Sequence, residues 1–574
     1  MPPRPPGRGR METNPAASGE LRWFAPAQGP QGWLVTGQTT RPWPATLPLA
    51  EARFEGAVLT GSLLTVFGDA DSHGVHAFLA LLHAPHPACG QLLELVVPAH
   101  PRLSGATACA AAGRAGRALL NGFPSAPATA ALRASLPRPD FTGTDSLTAL
   151  ALPIRLVIDA VVQVPPDGIA IAGALFDPMR LVVRVGLRRG DALTPLDRTV
   201  WAELPRPNEA TAERGAAPDA SGFIAHAIPP SGPPPECLEI ETRDGDVGHL
   251  PLSPPQPGAS LSVIQQFLAV PRQPLARMAA VMTHTIGPIA RGLNRARLAQ
   301  RPASRRMEYG PPPVAPARSL IIPLHGRLDF MAMQLALFSA RPDPGAEILY
   351  VLDDPQLWNE AERQAQSCLV RFGLPFSLID LGANLGYAPA NNAGIASARG
   401  HHLCLLNSDV FPAGNQGLSW LATLCGTLDD PGVGAAGALL LFEDGTVQHD
   451  GMEYRRIASL PPWPFPTHPG KGWLRDPSAL ARQDVAAVTG ACLAVRRADL
   501  LALGGLDEEL IIADFEDAAL CEALRARSLR IVLRRDVQLH HLERQTPGSD
   551  TPWRFGATLA NASHFAARWN PDAG

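Results

Sequence analysis

The sequence predicts a multidomain chain, with a β-rich, sandwich-like N-terminal region followed by an α/β domain built on a parallel sheet. Three observations carry this expectation. The chain has 574 residues, and domains of ~100–200 residues imply two to four of them rather than one core. Up to about Pro257 short apolar runs are broken by Pro and Gly, the pattern of short strands with turns between them. After Arg318 apolar strands alternate with segments of helical period, which implies parallel strands joined by crossover helices.

Composition narrows the function classes. Gly 52 and Pro 60 together make about a fifth of the chain, short of the ~25–30 % that marks low-complexity sequence. Lys+Arg 49 against Asp+Glu 53 gives a net charge of −4, with no basic excess to support a nucleic-acid binder. Lys471 is the only lysine, which rules out a P-loop and argues against Schiff-base chemistry. The eight cysteines (89, 109, 237, 368, 404, 425, 492 and 521) form no C-x-x-C, and several sit in apolar runs, as core hydrophobes of a reducing compartment do. Met1–Gly9 lacks an apolar core, so no signal peptide is expected. The longest apolar stretches, near Gly56–Gly68 and Met278–Ala290, stop at about 13 residues against the ~20 of a membrane span. The expected location is cytoplasmic.

Taken in order, residues 1–20 read as a disordered N-terminus and 21–257 as a β-rich accessory region. Its strands are expected at Ala57–Phe67, Leu92–Val97, Leu152–Val157, Ile169–Leu175, Leu181–Leu187 and Cys237–Thr242. Two units, about 21–135 and 148–257, are separated by the Ala-rich segment 106–135, whose composition suits a helix. Residues 258–317 combine a helical segment with a Pro/Arg-rich linker at 302–316. Arg272, Arg277, Arg291, Arg295 and Arg297 punctuate the helical part. A solvated helix face is the favoured reading; peripheral contact with anionic lipid at the inner face of the plasma membrane is the alternative.

Residues 318–574 form the α/β domain. Strands are expected at Ser319–Leu324, Glu347–Leu352, Phe376–Leu381 and His402–Leu406. The helices expected between and after them are Leu328–Ala340, Gln356–Phe372 and Ala388–Arg399. Ligands of such sheets bind beyond the carboxyl ends of the strands, and those ends carry Asp353, Asp354 and Asp409. Asp409 alone reads best as a turn or cap residue, and otherwise as a ligand for a hard cation such as Mg²⁺ or Mn²⁺. Asp514-Phe-Glu-Asp517 opens a helix over Ala518–Arg527, with Asp514 a plausible N-cap and a carboxylate there a candidate general base. His540 and His541 end the following strand, and alternation lets only one of them reach such a metal. Gly470-Lys-Gly-Trp473 reads as a surface loop, with a glycine-hinged lid as the alternative. The first strand lacks a G-x-G-x-x-G, which argues against a Rossmann dehydrogenase.

In this order the motifs of residues 319–545 resemble those of the family 2 glycosyltransferases, inverting enzymes of GT-A fold, in their rhamnosyltransferase-like branch. Ser319-Leu-Ile-Ile-Pro323 resembles the first strand, and Glu347–Asp354 the second, whose aspartates contact the nucleotide base. Asn384-Leu-Gly386 through Asn392-Ala-Gly394 is similar to the N-x-G…N-x-G loop, and Asn407-Ser-Asp409 stands at the DxD position. His449-Asp-Gly451 resembles a turn of that branch. Thr489-Gly490 and Gly504-Gly-Leu-Asp507-Glu508 resemble the acceptor-side segment, and Glu516-Asp517-Ala-Ala519 the E-D-x-D motif. His541 matches the late metal-binding histidine. Asn407 and Ala519 depart from the pattern, each replacing an acid.

The resemblance implies a metal-dependent (Mn²⁺ or Mg²⁺) inverting glycosyltransferase that moves a sugar from a nucleotide-diphosphate donor to a hydroxyl of a glycan or lipid-linked glycan. The product is expected to belong to bacterial cell-surface polysaccharide. Asp517 is the implied catalytic base. Donor binding falls to Pro323, Asp353, Asp354, Asn384, Gly386, Asn392, Asn407 and Ser408, and metal binding to Asp409 and His541. Gly490, Asp507 and Glu516 face the acceptor. The competing expectation is a degenerate carbohydrate-binding or scaffold protein.

Overall fold

The computed structural model describes residues 19–26, 32–54, 57–83, 92–99, 103–104, 107–108, 112–124, 126–204, 221–270, 273–476, 478–543 and 551–569. The expected disorder at 1–18, Arg272, Cys89 and Cys109 lie outside them. Gly19 and Glu20, expected to be disordered, begin the strand Gly19–Pro26. The six described cysteines are free and buried. Among the described residues no helix is long and apolar enough to cross a membrane.

The N-terminal half is β-rich, with two architectures. Strand Trp33–Thr39 pairs with both Gly19–Pro26 and His76–His83. From His76–His83 the order continues through Ala57–Ala70, Thr46–Phe54, Leu92–Val96 and Leu103–Ser104 back to Gly19–Pro26. This unit is therefore a closed ring rather than a sandwich. Strand alternation explains why Phe78–Leu82 is apolar throughout. Phe78, Ala80 and Leu82 point into the ring, while Leu79 and Leu81 meet Leu120 and Leu132 of the helices Ala112–Asn121 and Pro127–Ala134. The second unit has two sheets, of five and four strands. Both contribute to one core, with Ile171 and Phe223 from the first and Leu187 and Ile240 from the second.

Helices Leu261–Leu268, Leu275–Val281 and Gly287–Ala299 follow, the last two joined by a π turn over Met282–Ile286. They share a core with the C-terminal helix Pro552–Arg568 through Ile264, Ile289, Leu293, Leu559 and Phe565. Of the described arginines, Arg295 is exposed as a solvated face requires, whereas Arg277 and Arg291 are half-buried against other elements. Arg277 pairs with Glu203, Arg295 with Glu509 at 2.8 Å, and Arg291 donates to the Ala560 carbonyl at 3.3 Å.

The C-terminal half is built on an 11-stranded mixed sheet. Its parallel part runs in the order Phe376–Asp380, Ala346–Leu352, Arg318–Leu324, His402–Leu406. Each strand is buried on both faces, which is why each reads as a continuous apolar run. Beyond His402–Leu406 the sheet turns antiparallel through Cys492–Arg496 and Val433–Leu441, and Arg530–His541 follows. The expected linker at 302–316 is partly sheet. Arg305–Tyr309 pairs antiparallel with Phe376–Asp380, and Arg305 holds Asp380 at 2.6 Å. Prolines flank these five residues but none falls within them, so every N–H the ladder needs is present.

Candidate active site

The chain leaves Arg318–Leu324 for one side of the sheet and enters His402–Leu406 on the other, so the strand order reverses between them. A crevice opens at such a reversal, beyond the carboxyl ends of the strands. A cavity of about 520 Å³ lies there, lined by Pro323, Asp353, Asn384, Gly386, Asn407, Ser408, Asp409 and His541. These eight are among the residues singled out by the sequence.

Asp353 is 5 % exposed and accepts hydrogen bonds from the N–H groups of Leu385 (2.5 Å) and Gly386 (2.8 Å). Burial pushes its carboxyl up to about 7, against the opposing pull of those two donors. The same loop is gripped from its other side by Arg297, whose guanidinium donates to the carbonyls of Asn384 and Leu385. Gly386 turns the loop at φ +105, where a Cβ would meet Ile512 backbone at 3.0 Å. Asp354 is elsewhere: it caps the turn Pro355–Leu357 by accepting from Gln356 N–H at 3.1 Å.

Asp409 and His541 are brought together by pairing of Val410–Pro412 with Arg530–His541, in which Val410 faces His541. His541 Nε2 is 3.3 Å from Asp409 Oδ1. His540 points the other way, to the Phe442 carbonyl at 3.2 Å, as strand alternation requires. Buried Gln334 fixes the intervening turn by donating to the carbonyls of Asn407 (3.1 Å) and Val410 (2.9 Å). Asn407 Oδ1 is buried with no hydrogen-bond partner, an unmet acceptor at the cavity wall.

A second chamber of about 380 Å³ adjoins the first, and Tyr387, Asn407, Ala513 and Asp514 line both. It contains Gly490, Glu516 and Asp517. Asp517 accepts from the N–H groups of Gly490 (2.8 Å) and Ala518 (2.7 Å), which fixes the carboxylate at the start of helix Glu516–Arg525. Glu516 is 4 % exposed, and burial, then the charges of Asp517 and Asp514, hold its carboxyl well above the usual range. Asp514 does not cap the helix, a correction of the expected N-cap. Ile512 (φ 66), Asp514 (φ 85) and Phe515 (φ 77) are left-handed, which costs ~1–3 kcal/mol each at non-glycine positions. This turn swings Asp514 toward Thr558, which donates to it at 2.6 Å.

Three expected site residues lie in neither chamber: Asp354, at the turn already described, Asn392 and Asp507. Asn392 ties its helix to the next turn through Leu506 and Glu508. Asp507 is locked by His564 at 3.1 Å and Arg568 at 3.0 Å. Conversely, the sequence reading missed His325, Arg327, Tyr387, His468, Trp553 and Arg554, which line the chambers. Tyr387 lies within the Asn384–Gly394 motif and opens the helix Tyr387–Ser397; the others belong to no spaced motif and arrive from separate loops and from the C-terminal helix. The Gly470–Trp473 loop leaves Trp473 exposed, while Lys471 pairs at 2.7 Å with Glu543, a residue of the first cavity.

No protein-family profile matches the chain. It is 31 % identical over 184 residues to the uncharacterized protein y4gI of Sinorhizobium fredii, covering 32 % of this chain and 20 % of that protein. It is 29 % identical over 267 residues to the O-antigen biosynthesis protein RfbC of Myxococcus xanthus, covering 43 % and 19 %. The chain thus spans about a fifth of the length of both relatives. Among solved structures, similarity extends to GalNAc-T7 with UDP, GalNAc and Mn²⁺, at TM-score 0.34 and 15 % identity over 44 % of this chain and 48 % of that one. A mannosyltransferase of Pyrobaculum calidifontis with GDP-Man and Mn²⁺ gives 0.29 and 14 % over 54 % and 83 %. These scores are too low to assign the fold by themselves.

Proposed function

We propose that this chain is an inverting glycosyltransferase of the family 2 type, acting in bacterial cell-surface polysaccharide synthesis. The observation that carries the reading is the pair of adjoining chambers, with Asp409 and His541 in one and Asp517 in the other. A displacement reaction needs a place for an activated donor and, beside it, a base for the attacking hydroxyl. The name of the Myxococcus relative, an O-antigen biosynthesis protein, agrees with this product class.

The donor chamber suits a divalent cation. Asp409 and His541 face each other, and Asn407 Oδ1 adds an unmet acceptor. Among the described residues no cluster of three or more His, Cys, Asp or Glu is arranged to hold a metal. Such a shortfall is normal for Mg²⁺ or Mn²⁺, which keep water and take substrate phosphate oxygens beside one or two carboxylates. Bound there, the ion would offset charge growing on the departing diphosphate.

Asp353 and the Asn384–Gly386 loop form the wall for the nucleotide, and Arg327 and Arg554 add positive charge to the same cavity. Asp517 takes the proton of an acceptor hydroxyl, which attacks the anomeric carbon from the face opposite the leaving diphosphate. One base suffices for this single displacement, unlike the carboxylate pair of a glycosidase. Ala519, which replaces an acid of the motif, is 6 % exposed and packs in the hydrophobic core, so its change removes no group from either chamber.

The test is a thermal-shift screen of UDP, GDP, dTDP and their sugars with Mn²⁺ and again with EDTA, followed by donor hydrolysis. Metal-dependent stabilisation by one nucleotide, with turnover, is expected. Binding without turnover would favour the scaffold reading, and no binding would sink the donor site.

A further inference from the structure

A histidine couple reaches the second chamber from a part of the chain that the reaction does not use. His449 ends the strand Val447–His449, and His468 follows the strand Phe465–Thr467. His449 is fully buried, and its Nδ1 lies 2.8 Å from Nδ1 of His468. The other nitrogen of His449, Nε2, receives the N–H of Thr489 at 3.4 Å.

These contacts fix where the protons are. A backbone N–H can only donate, so His449 Nε2 accepts, and a neutral His449 ring carries its proton on Nδ1. That proton occupies the space between the two Nδ1 atoms, so His468 Nδ1 must accept it. His468 then carries its own proton on Nε2. His468 lines the chamber with Gly490 and Asp517, and with Nδ1 engaged, Nε2–H is the nitrogen left for an occupant. Burial lowers the pKa of both rings, that of His449 strongly, and so favours these neutral forms. The charge of Asp517 pulls the His468 pKa the other way, and burial outweighs it. Met452, Phe465 and Pro466 supply an apolar side to the same chamber.

We propose that His468 is a sugar-contact residue, whose Nε2–H donates to a hydroxyl of the acceptor sugar adjoining the one that Asp517 deprotonates. His449 is its positioning residue, holding the tautomer. The implied acceptor is a neutral sugar ring, with hydroxyl groups toward His468 and Asp517 and a C–H face toward Phe465 and Pro466. This deepens the transferase reading and rests on it.

Two measurements test it without knowledge of the natural acceptor. ¹⁵N spectra of histidine-labelled protein at pH 8, assigned with His449→Phe and His468→Leu, should show His468 as the Nε2–H tautomer and His449 as the Nδ1–H tautomer. Saturation-transfer NMR with a panel of methyl hexosides and methyl 6-deoxyhexosides should detect binding to the wild type. That binding should weaken at least tenfold in His468→Leu, partly recover in His468→Gln, and weaken in His449→Phe as the His468 tautomers mix. Nucleotide-dependent stabilisation with Mn²⁺ should be unchanged in all three variants. A His468 Nδ1–H tautomer, wild-type glycoside binding by His468→Leu, or no glycoside binding by the wild type would each overturn the proposal. Absence of nucleotide binding by the wild type would instead overturn the transferase reading, and the tautomer and glycoside results would show that failure separately.

Discussion

His541 Nε2 faces Asp409 Oδ1 across 3.3 Å, although the two residues are 132 positions apart in the sequence. Their strands, Val410–Pro412 and Arg530–His541, are register partners, so the pair is fixed by backbone pairing as well as by its own attraction. Asp409→Ala and His541→Ala should therefore each abolish most of the metal-dependent part of nucleotide stabilisation. That part is roughly 2.7 kcal/mol for a ligand at 100 times its dissociation constant. Thermal melts with Mn²⁺ and with EDTA read the difference; an unchanged shift would remove the residue from the metal role.

The neighbouring acids Glu516 and Asp517 should behave oppositely. Asp517→Asn should lower turnover by ~10²–10⁴ with nucleotide binding retained, the signature of a lost general base. Burial, then the charges of Asp517 and Asp514, raise the pKa of Glu516 and favour its neutral form. Glu516→Gln preserves that state, and should keep turnover within about threefold. Side-by-side kinetics of the two variants decide which carboxyl acts.

Asp353 makes stability depend on pH in a defined direction. Its folded pKa of about 7 lies above its unfolded value, so the native state holds a proton that the unfolded chain has lost. The resulting stabilisation is fully present below about pH 4 and disappears as pH rises through about 7, at up to ~1.4 kcal/mol per unit. Asp353→Asn lacks this titration. The melting temperature of the wild type relative to the variant should fall between pH 5 and pH 8; a constant difference would contradict the assignment.

Arg297 braces the far side of the loop that holds Asp353. Arg297→Met keeps the apolar stem and removes both donors to Asn384 and Leu385. Stability should drop by roughly 1–3 kcal/mol, the range for lost charged hydrogen bonds, and nucleotide affinity should fall with it. An unaltered affinity would confine Arg297 to a purely structural part.

Much of the candidate site was legible because its residues sit at strand ends. Asp353 and Asp409 each follow an apolar run, and a carboxylate there needs a partner or a ligand. Arg291 and Arg297 were misread for the converse reason, while Arg295 is exposed as expected. Arg291, Arg295 and Arg297 recur at spacings that suit a solvated face, and nothing local announces that Ala560, Glu509 and the Asn384–Leu385 carbonyls will meet them. Asn392 and Asp507 erred in the same way: motif position suggested a ligand, but tertiary partners had claimed the side chains.

The sequence alone determined the periods, two for the strands and about 3.6 for the helices, and with them the β-rich half, the parallel strands and the acids at their ends. Resemblance placed Gly386 in a motif, and only the structure shows why a glycine stands there: a Cβ would meet Ile512 backbone. Tertiary structure decided closure of the first ring, the pairing of Arg305–Tyr309 into the sheet, and the meeting of His541 with Asp409. It also assembled His449, His468 and Thr489 around one chain of protons. Each of those outcomes depends on hydrogen bonds between segments distant in the chain. Local propensity carries no information about which distant donor and acceptor will satisfy one another, and packing does.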